Sequence, residues 1–160
     1  MRLPFRVVQA TCHDTDTIVD VVNSDRLYKT VIPSKFYKDP FLTSEELKNY
    51  FATMDLTFFL CREGASVLGV GALIGRKDGD GQLGWIFVVP ERQREGVGSA
   101  LVATIERQAR ARGMPRIILE TDGGAYWAIS FYQSLGYREY KRTDHLWGYQ
   151  IWIQKALSPP

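Results

Sequence analysis

The sequence predicts an α/β domain on a mixed sheet, with elements in the order β α α β β β α β α β β. Three observations predict it. A continuous apolar run, Ile86-Phe87-Val88-Val89, is followed by a glycine-containing turn and a long amphipathic helix. Ahead of that run lie two strand-like segments joined by short turns, which read as an antiparallel meander. Behind it come a further strand, a further helix and two closing strands.

The elements are justified in chain order. Residues 5–9 form a first strand and 13–27 a helix, with Asp14 or Thr15 as cap and Ile18, Val19, Val21 and Val22 on its apolar side. Residues 28–42 are aromatic, basic and broken by Pro33 and Pro40, so they read as a loop. Such a loop either lines a substrate cleft or simply joins two helices. Thr43 and Glu46 have capping-box spacing and start a helix that runs to about residue 54. Strands at 58–62 and 67–74 follow, and Asp78-Gly79-Asp80-Gly81 makes the next turn. The run at 86–89 suits a strand buried on both faces, and Pro90 ends it because it has no N–H for the ladder. Val97, Leu101, Ile105 and Ala109 recur at helical spacing, with Glu106, Arg107 and Arg110 turned outward and Gly113 as the stop. A strand at 116–121, a loop at 122–124, a helix at 125–135 capped by Gly136, and strands at 137–141 and 146–155 complete the chain.

Bulk properties exclude several classes. At 160 residues the chain reads as one domain spanning 1–160, with room for a real core. Twenty basic against eighteen acidic residues give no basic stripe, so no nucleic-acid partner is expected. No apolar run approaches membrane-spanning length, and the first residues are too short and too charged for a signal peptide. Cys12 and Cys61 lie far apart with no metal-ligand spacing; they read as buried free thiols of a reducing, cytoplasmic compartment, and no metal is expected.

The turn Gln93-Arg94-Glu95-Gly96-Val97-Gly98 carries chemistry of its own. A helix begins with N–H groups that no intrahelical carbonyl takes, and its start is partially positive. Glycines there let a ligand approach the backbone, which makes an anion site suited to phosphate, and Arg92 and Arg94 add charge. A P-loop string is absent, and a dinucleotide fingerprint fails because Leu101 stands at its third small position.

Two motifs together resemble the GNAT superfamily of N-acetyltransferases over nearly the whole chain. One is the turn at 93–98, matching [QR]-x-x-G-x-[GA] after a strand ending in V-x-P. The other is Ala128-Ile129-Ser130-Phe131-Tyr132-Gln133-Ser134-Leu135-Gly136-Tyr137, matching A-x-x-[LF]-Y-x-x-x-G-[FY]. The resemblance implies a mixed, mostly antiparallel central sheet with helices on both faces. It implies acetyl-coenzyme A (acetyl-CoA) as donor and a primary amine, of a small molecule or a protein, as acceptor, with direct attack in a ternary complex. The backbone at Phe87, Val88 and Val89 would pair with the pantetheine arm. The turn comprising Gln93, Arg94, Glu95, Gly96, Val97, Gly98 and Ser99 would hold the pyrophosphate. An amide near Val88 would face the thioester oxygen where the sheet splays. Tyr132 falls on the family's thiolate-protonating tyrosine.

Leu119-Glu120-Thr121 resembles the L-E-V run of the bacterial ribosomal-protein N-terminal acetyltransferases, whose glutamate is a general base twelve residues before the tyrosine, the spacing of Glu120 and Tyr132. Glu120 otherwise reads as a solvated or ion-paired carboxylate, and Tyr132 as a packed helix aromatic. The family's asparagine seven residues before the tyrosine is Ala125 here, so Gly123 and Gly124 would offer backbone groups in its place. An acyl-CoA-sensing domain without turnover is the alternative function. The apolar tail with Leu146, Trp147, Tyr149, Ile151, Trp152 and Ile153 has two readings, the domain's own core or a homodimer joined through this strand.

Overall fold

The computed structural model describes residues 4–159. Its strands are β1 (Arg6–Gln9), β2 (Asp55–Glu63), β3 (Ser66–Gly75), β4 (Gly81–Val88), β5 (Arg116–Asp122), β6 (Arg138–His145) and β7 (Gly148–Ala156). Its α-helices are α1 (Thr15–Asn23), α2 (Ser44–Thr53), α3 (Val97–Ala111) and α4 (Tyr126–Ser134). The seven strands form one sheet in the order β1-β2-β3-β4-β5-β7-β6. Every neighbouring pair is antiparallel except β4 and β5. The expected mixed, mostly antiparallel sheet is therefore what forms.

Helices cover both faces. On one, Ile18 and Val22 of α1 and Leu47 of α2 pack over Phe58, Leu60 and Val70. On the other, Leu101 and Ile105 of α3 and Tyr132 of α4 pack over Leu83, Ile117, Leu119, Ile151 and Ile153. Each such aliphatic side chain contributes about 1.5–3 kcal/mol by leaving water. The Thr43–Glu46 capping box forms as expected at the start of α2. Gly113, at φ 75°, ends α3 and lets Met114 N donate back to Ala109 O at 3.0 Å.

Several expectations are corrected. The first helix is shorter than 13–27: it starts at Thr15, with Asp14 at its N-cap position but making no side-chain cap bond, and ends at Asn23 with Ser24 as its C-cap. The Asp14 carboxylate turns back to Thr11 N at 2.7 Å and pairs with Arg62, closing a 3-10 turn at Cys12–Asp14 instead. Glu106 does not face solvent: it is buried, accepting from Tyr137 Oη at 2.9 Å and Lys155 Nζ at 3.0 Å. Burying a carboxylate requires such donors. Only Cys61 of the two thiols is buried, and burial pushes it up to about 11; Cys12 is exposed. β7 lies between β5 and β6, so both its edges are already paired and it cannot join two copies edge to edge. Along β7, Ile151 and Ile153 are buried while Trp152 is half-buried, and Leu146 in the preceding turn is 82% exposed. The apolar tail is therefore largely core on one face only.

Candidate active site

The site begins at the β4–β5 pair. These strands pair only at Gly81↔Ile117 and Gln82↔Ile118, then part. The cause is a bulge in β4: Val70 faces Phe87 and Ala72 faces Gly84, so three steps of β4 oppose two of β3. Trp85 takes φ 47° at this point. A bulge bends and twists its strand, and here it swings the end of β4 away from β5. Gly71 lies opposite, where a Cβ would meet the end of the Ile86 side chain.

The parting leaves backbone groups of β4 without a strand partner. Val89 N donates to Leu68 O at 2.8 Å, toward β3. Backbone groups alternate along a strand, so the Val88 amide faces the other way, into the gap. Residues 86–89 are half-buried rather than buried on both faces, because the gap is lined by them and not filled by a neighbouring strand.

Two cavities open from the gap. One, of about 650 Å³, is lined by Phe87, Val88, Gln93, Arg94, Gly96, Val97, Gly98 and Ser99, and by Trp127, Phe131 and Tyr132 of α4. The other, of about 520 Å³, is lined by β4 and β5 residues including Trp85, Glu120 and Asp122, and by His145 and Trp147. Tyr28, Ile86, Phe87 and Tyr132 line both, so the two cavities meet at these side chains.

The turn in the first cavity has the geometry of an open anion site. Gly96 caps α3 at φ 88°, where a β-carbon is disfavoured, and no side chain caps the helix. Arg94 also takes a positive φ, 66°. Gly98 has ordinary helical backbone; its smallness serves packing, because a Cβ would lie 3.1 Å from the Phe131 ring. Of the two arginines expected to add charge, Arg92 is committed elsewhere. Its guanidinium grips Glu63 at 2.8 Å and Glu95 at 2.9 Å, and those hydrogen bonds hold both its own charge and that of Glu63. The Glu95 carboxylate is thereby spoken for, leaving Arg94 as the cation that lines the cavity.

Tyr132 is buried, its ring edge-on to Phe131 and Tyr137 at 5.0 and 5.7 Å. Burial raises its pKa well above the ordinary tyrosine value, and the nearby Tyr28 raises it further. Glu120 lines the second cavity together with Tyr132. Glu120 is itself an exposed position of β5, and the partial desolvation it meets in the cavity raises its pKa, with Lys141 and Arg76 pulling it back; its carboxylate has no hydrogen-bond partner among the described residues. At the Ala125 position no side chain caps α4. Asp122 instead orders the loop before the helix: Oδ1 accepts from Gly124 N at 2.8 Å, and its carbonyl from Ala125 N.

Several cavity residues were not singled out from the sequence. Tyr28 joins the two cavities and bonds Thr121 through its hydroxyl at 3.1 Å. Trp147 Nε1 donates to Asp122 Oδ2 at 2.6 Å. His145 Nδ1 accepts from Trp147 N at 3.3 Å, and its Nε2 lies 3.5 Å from Asp122 Oδ2 without a hydrogen bond. The only local signal was the spacing of these polar and aromatic residues around strand ends; their meeting depends on segments far apart in the chain.

The comparisons bear on this geometry. The Acetyltransferase (GNAT) family model matches residues 24–137. An IAA acetyltransferase from Azospirillum brasilense is 34% identical over 91 residues, 55% of this chain and 58% of that protein. N-acetyltransferase 8 from Homo sapiens is 32% identical over 101 residues, 60% of this chain and 44% of that protein. The matched region is thus about half the length of these two relatives. The ribosomal-protein-S18-alanine N-acetyltransferase from Escherichia coli shares the fold at TM-score 0.78 and 17% identity, over 98% of this chain and 96% of that one. The putative acetyltransferase yncA from Salmonella typhimurium, solved with its cofactor acetyl-CoA, does so at TM-score 0.75 and 16% identity, over 97% and 95%. The family match runs from before the residue 28–42 loop through the parted strands and the glycine turn to the end of α4, and the chain belongs to the GNAT acetyltransferase family.

Proposed function

We propose that this chain moves an acetyl group from acetyl-CoA to a primary amine by direct attack. The observation that carries this reading is the meeting of two cavities at Tyr132, one ending on an uncapped helix start and the other holding a free carboxylate. The helix start, with the N–H groups of Val97, Gly98 and Ser99 and the Arg94 cation, suits the donor's pyrophosphate. The unpaired edge formed by Phe87, Val88 and Val89 suits its amide-bearing pantetheine arm, which would add there like a strand.

The chemistry follows from that placement. The acceptor ammonium gives a proton to Glu120 and attacks the thioester carbon. The Val88 amide holds the oxygen as negative charge develops there. A C–N bond forms, the C–S bond breaks, and the departing sulfur takes a proton from Tyr132. The acylated nitrogen gives up its second proton, which returns through solvent to the Tyr132 phenolate, and Glu120 releases its own proton to solvent. Direct attack is favoured over an acyl-enzyme because no cysteine lines either cavity. The test is thiol release from acetyl-CoA over a panel of amines and N-terminal peptides. Amine-dependent release with intersecting initial-rate lines supports the reading; binding of acetyl-CoA without release returns the chain to a sensing role.

A further inference from the structure

The second cavity has walls with a chemistry beyond an amine nitrogen. Tyr28, Phe41, Trp85, Phe87 and Trp147 line it. Phe87 receives Tyr28 and Phe41 edge-on, at 6.1 and 5.9 Å, so these three rings form one connected aromatic surface. Trp147 is backed by Phe36, stacked at 5.0 Å and 28°, and pinned to Asp122 through its indole N–H. The loop at 28–42, the β6–β7 turn and the end of β5 are thereby joined along one side of the cavity.

Its charges are unequal. Asp122 already accepts from Gly124 N, from the Trp147 indole, and faces His145. Glu120 makes no hydrogen bond or ion pair among the described residues, with the Lys141 and Arg76 cations near enough to act on it only through space. One free carboxylate beside aromatic faces suits one cationic nitrogen on an apolar body, since the faces attract both the cation and flat carbon. A diamine would bring a second charge with no free carboxylate to meet it. A volume of about 520 Å³ lies within the range of small-molecule sites.

We propose that the acceptor is an arylalkylamine, seated between the aromatic walls with its ammonium on Glu120. This rests on the acetyl-transfer reading above. The test measures thiol release with acetyl-CoA and four probes: phenethylamine, ethylamine, 1,4-diaminobutane and a tetrapeptide beginning with alanine. Phenethylamine is expected to exceed ethylamine in kcat/KM by roughly 10–100-fold, the gain from burying one ring, and to exceed the other two probes. Trp147→Ala should cut that ratio while acetyl-CoA affinity, read by calorimetry, is unchanged. Trp85→Phe is the second variant, retaining a ring against Tyr50 and Phe58 should the first not fold. Equal rates for the two monoamines, or preference for the diamine or peptide, overturn the substrate class and leave acetyl transfer standing. Bound acetyl-CoA with no release to any probe overturns acetyl transfer itself, and the substrate class with it.

Discussion

Tyr132 keeps its proton at neutral pH because burial makes the phenolate costly, and Tyr28 beside it adds to that cost. In the proposed mechanism it is therefore in donor form when sulfur departs. A thiolate is a tolerable leaving group, so Tyr132→Phe should lower kcat by about 10²–10⁴-fold rather than abolish it. Ring packing on Phe131 and Tyr137 is retained, so melting temperature and acetyl-CoA affinity should hold; a parent rate under chemistry-limited conditions would remove the acid role. Glu120 is the converse case, since only its deprotonated form is a base and desolvation raises its pKa. The rate should rise with pH through that raised value, and Glu120→Gln should erase this limb. A limb that survives and shifts with the pKa of the amine belongs to the substrate. Glu106 tests structure alone: Glu106→Leu strands the buried Tyr137 hydroxyl and the Lys155 ammonium. It should cost about 1–3 kcal/mol in urea unfolding, with acetyl-CoA binding retained.

The β4–turn–α3 element shows which features one sequence can carry. Its strand, turn and helix are local, so apolar runs and glycine spacing located them, while only the structure shows that it is Gly96 that takes φ 88°. Glu106 was misplaced because helical spacing says only which residues share a face. Tyr137 and Lys155, which hold it inward, come from outside the helix. Arg92 looked like a phosphate ligand for the same reason, its partner Glu63 lying 29 residues away. The acceptor cavity was least legible: Tyr28, Glu120 and Trp147 meet only once the sheet order is known. The same element offers a test of the phosphate reading that spares the crowded Gly98. Ser99→Glu puts a carboxylate in the first turn of α3, where it favours the helix but repels pyrophosphate. Thermal stability should hold or rise while acetyl-CoA affinity falls roughly tenfold or more, each tenfold being about 1.4 kcal/mol. Unchanged affinity in calorimetry would move the phosphate elsewhere.

At the scale of the whole molecule, the sheet has an incomplete seam at its middle. β1 to β4 form one antiparallel ribbon and β5, β7 and β6 another, joined by two residue pairs at the base of β4 and β5. The outer edge strand β6 is exposed and carries Arg138, Lys141 and Arg142, charges that discourage pairing with another chain. The seam is different, because an unpaired strand edge inside a fold invites an added strand. A donor whose pantetheine arm fills it would bridge the two ribbons, stabilising the fold by about 2.7 kcal/mol at a hundredfold excess over Kd. Hydrogen exchange separates this from binding at the surface. The Val89 amide already donates to Leu68 and should be protected with or without ligand. The Val88 amide faces the gap and should exchange quickly in the free protein, then slow markedly when acetyl-CoA binds. Protection at Val88 only, with Val89 unchanged, is the signature of a strand-like donor in the seam. Binding that leaves Val88 exchange as fast as before would mean that the donor reaches the helix start without lying along β4, and the Val88 amide would lose its role toward the thioester oxygen.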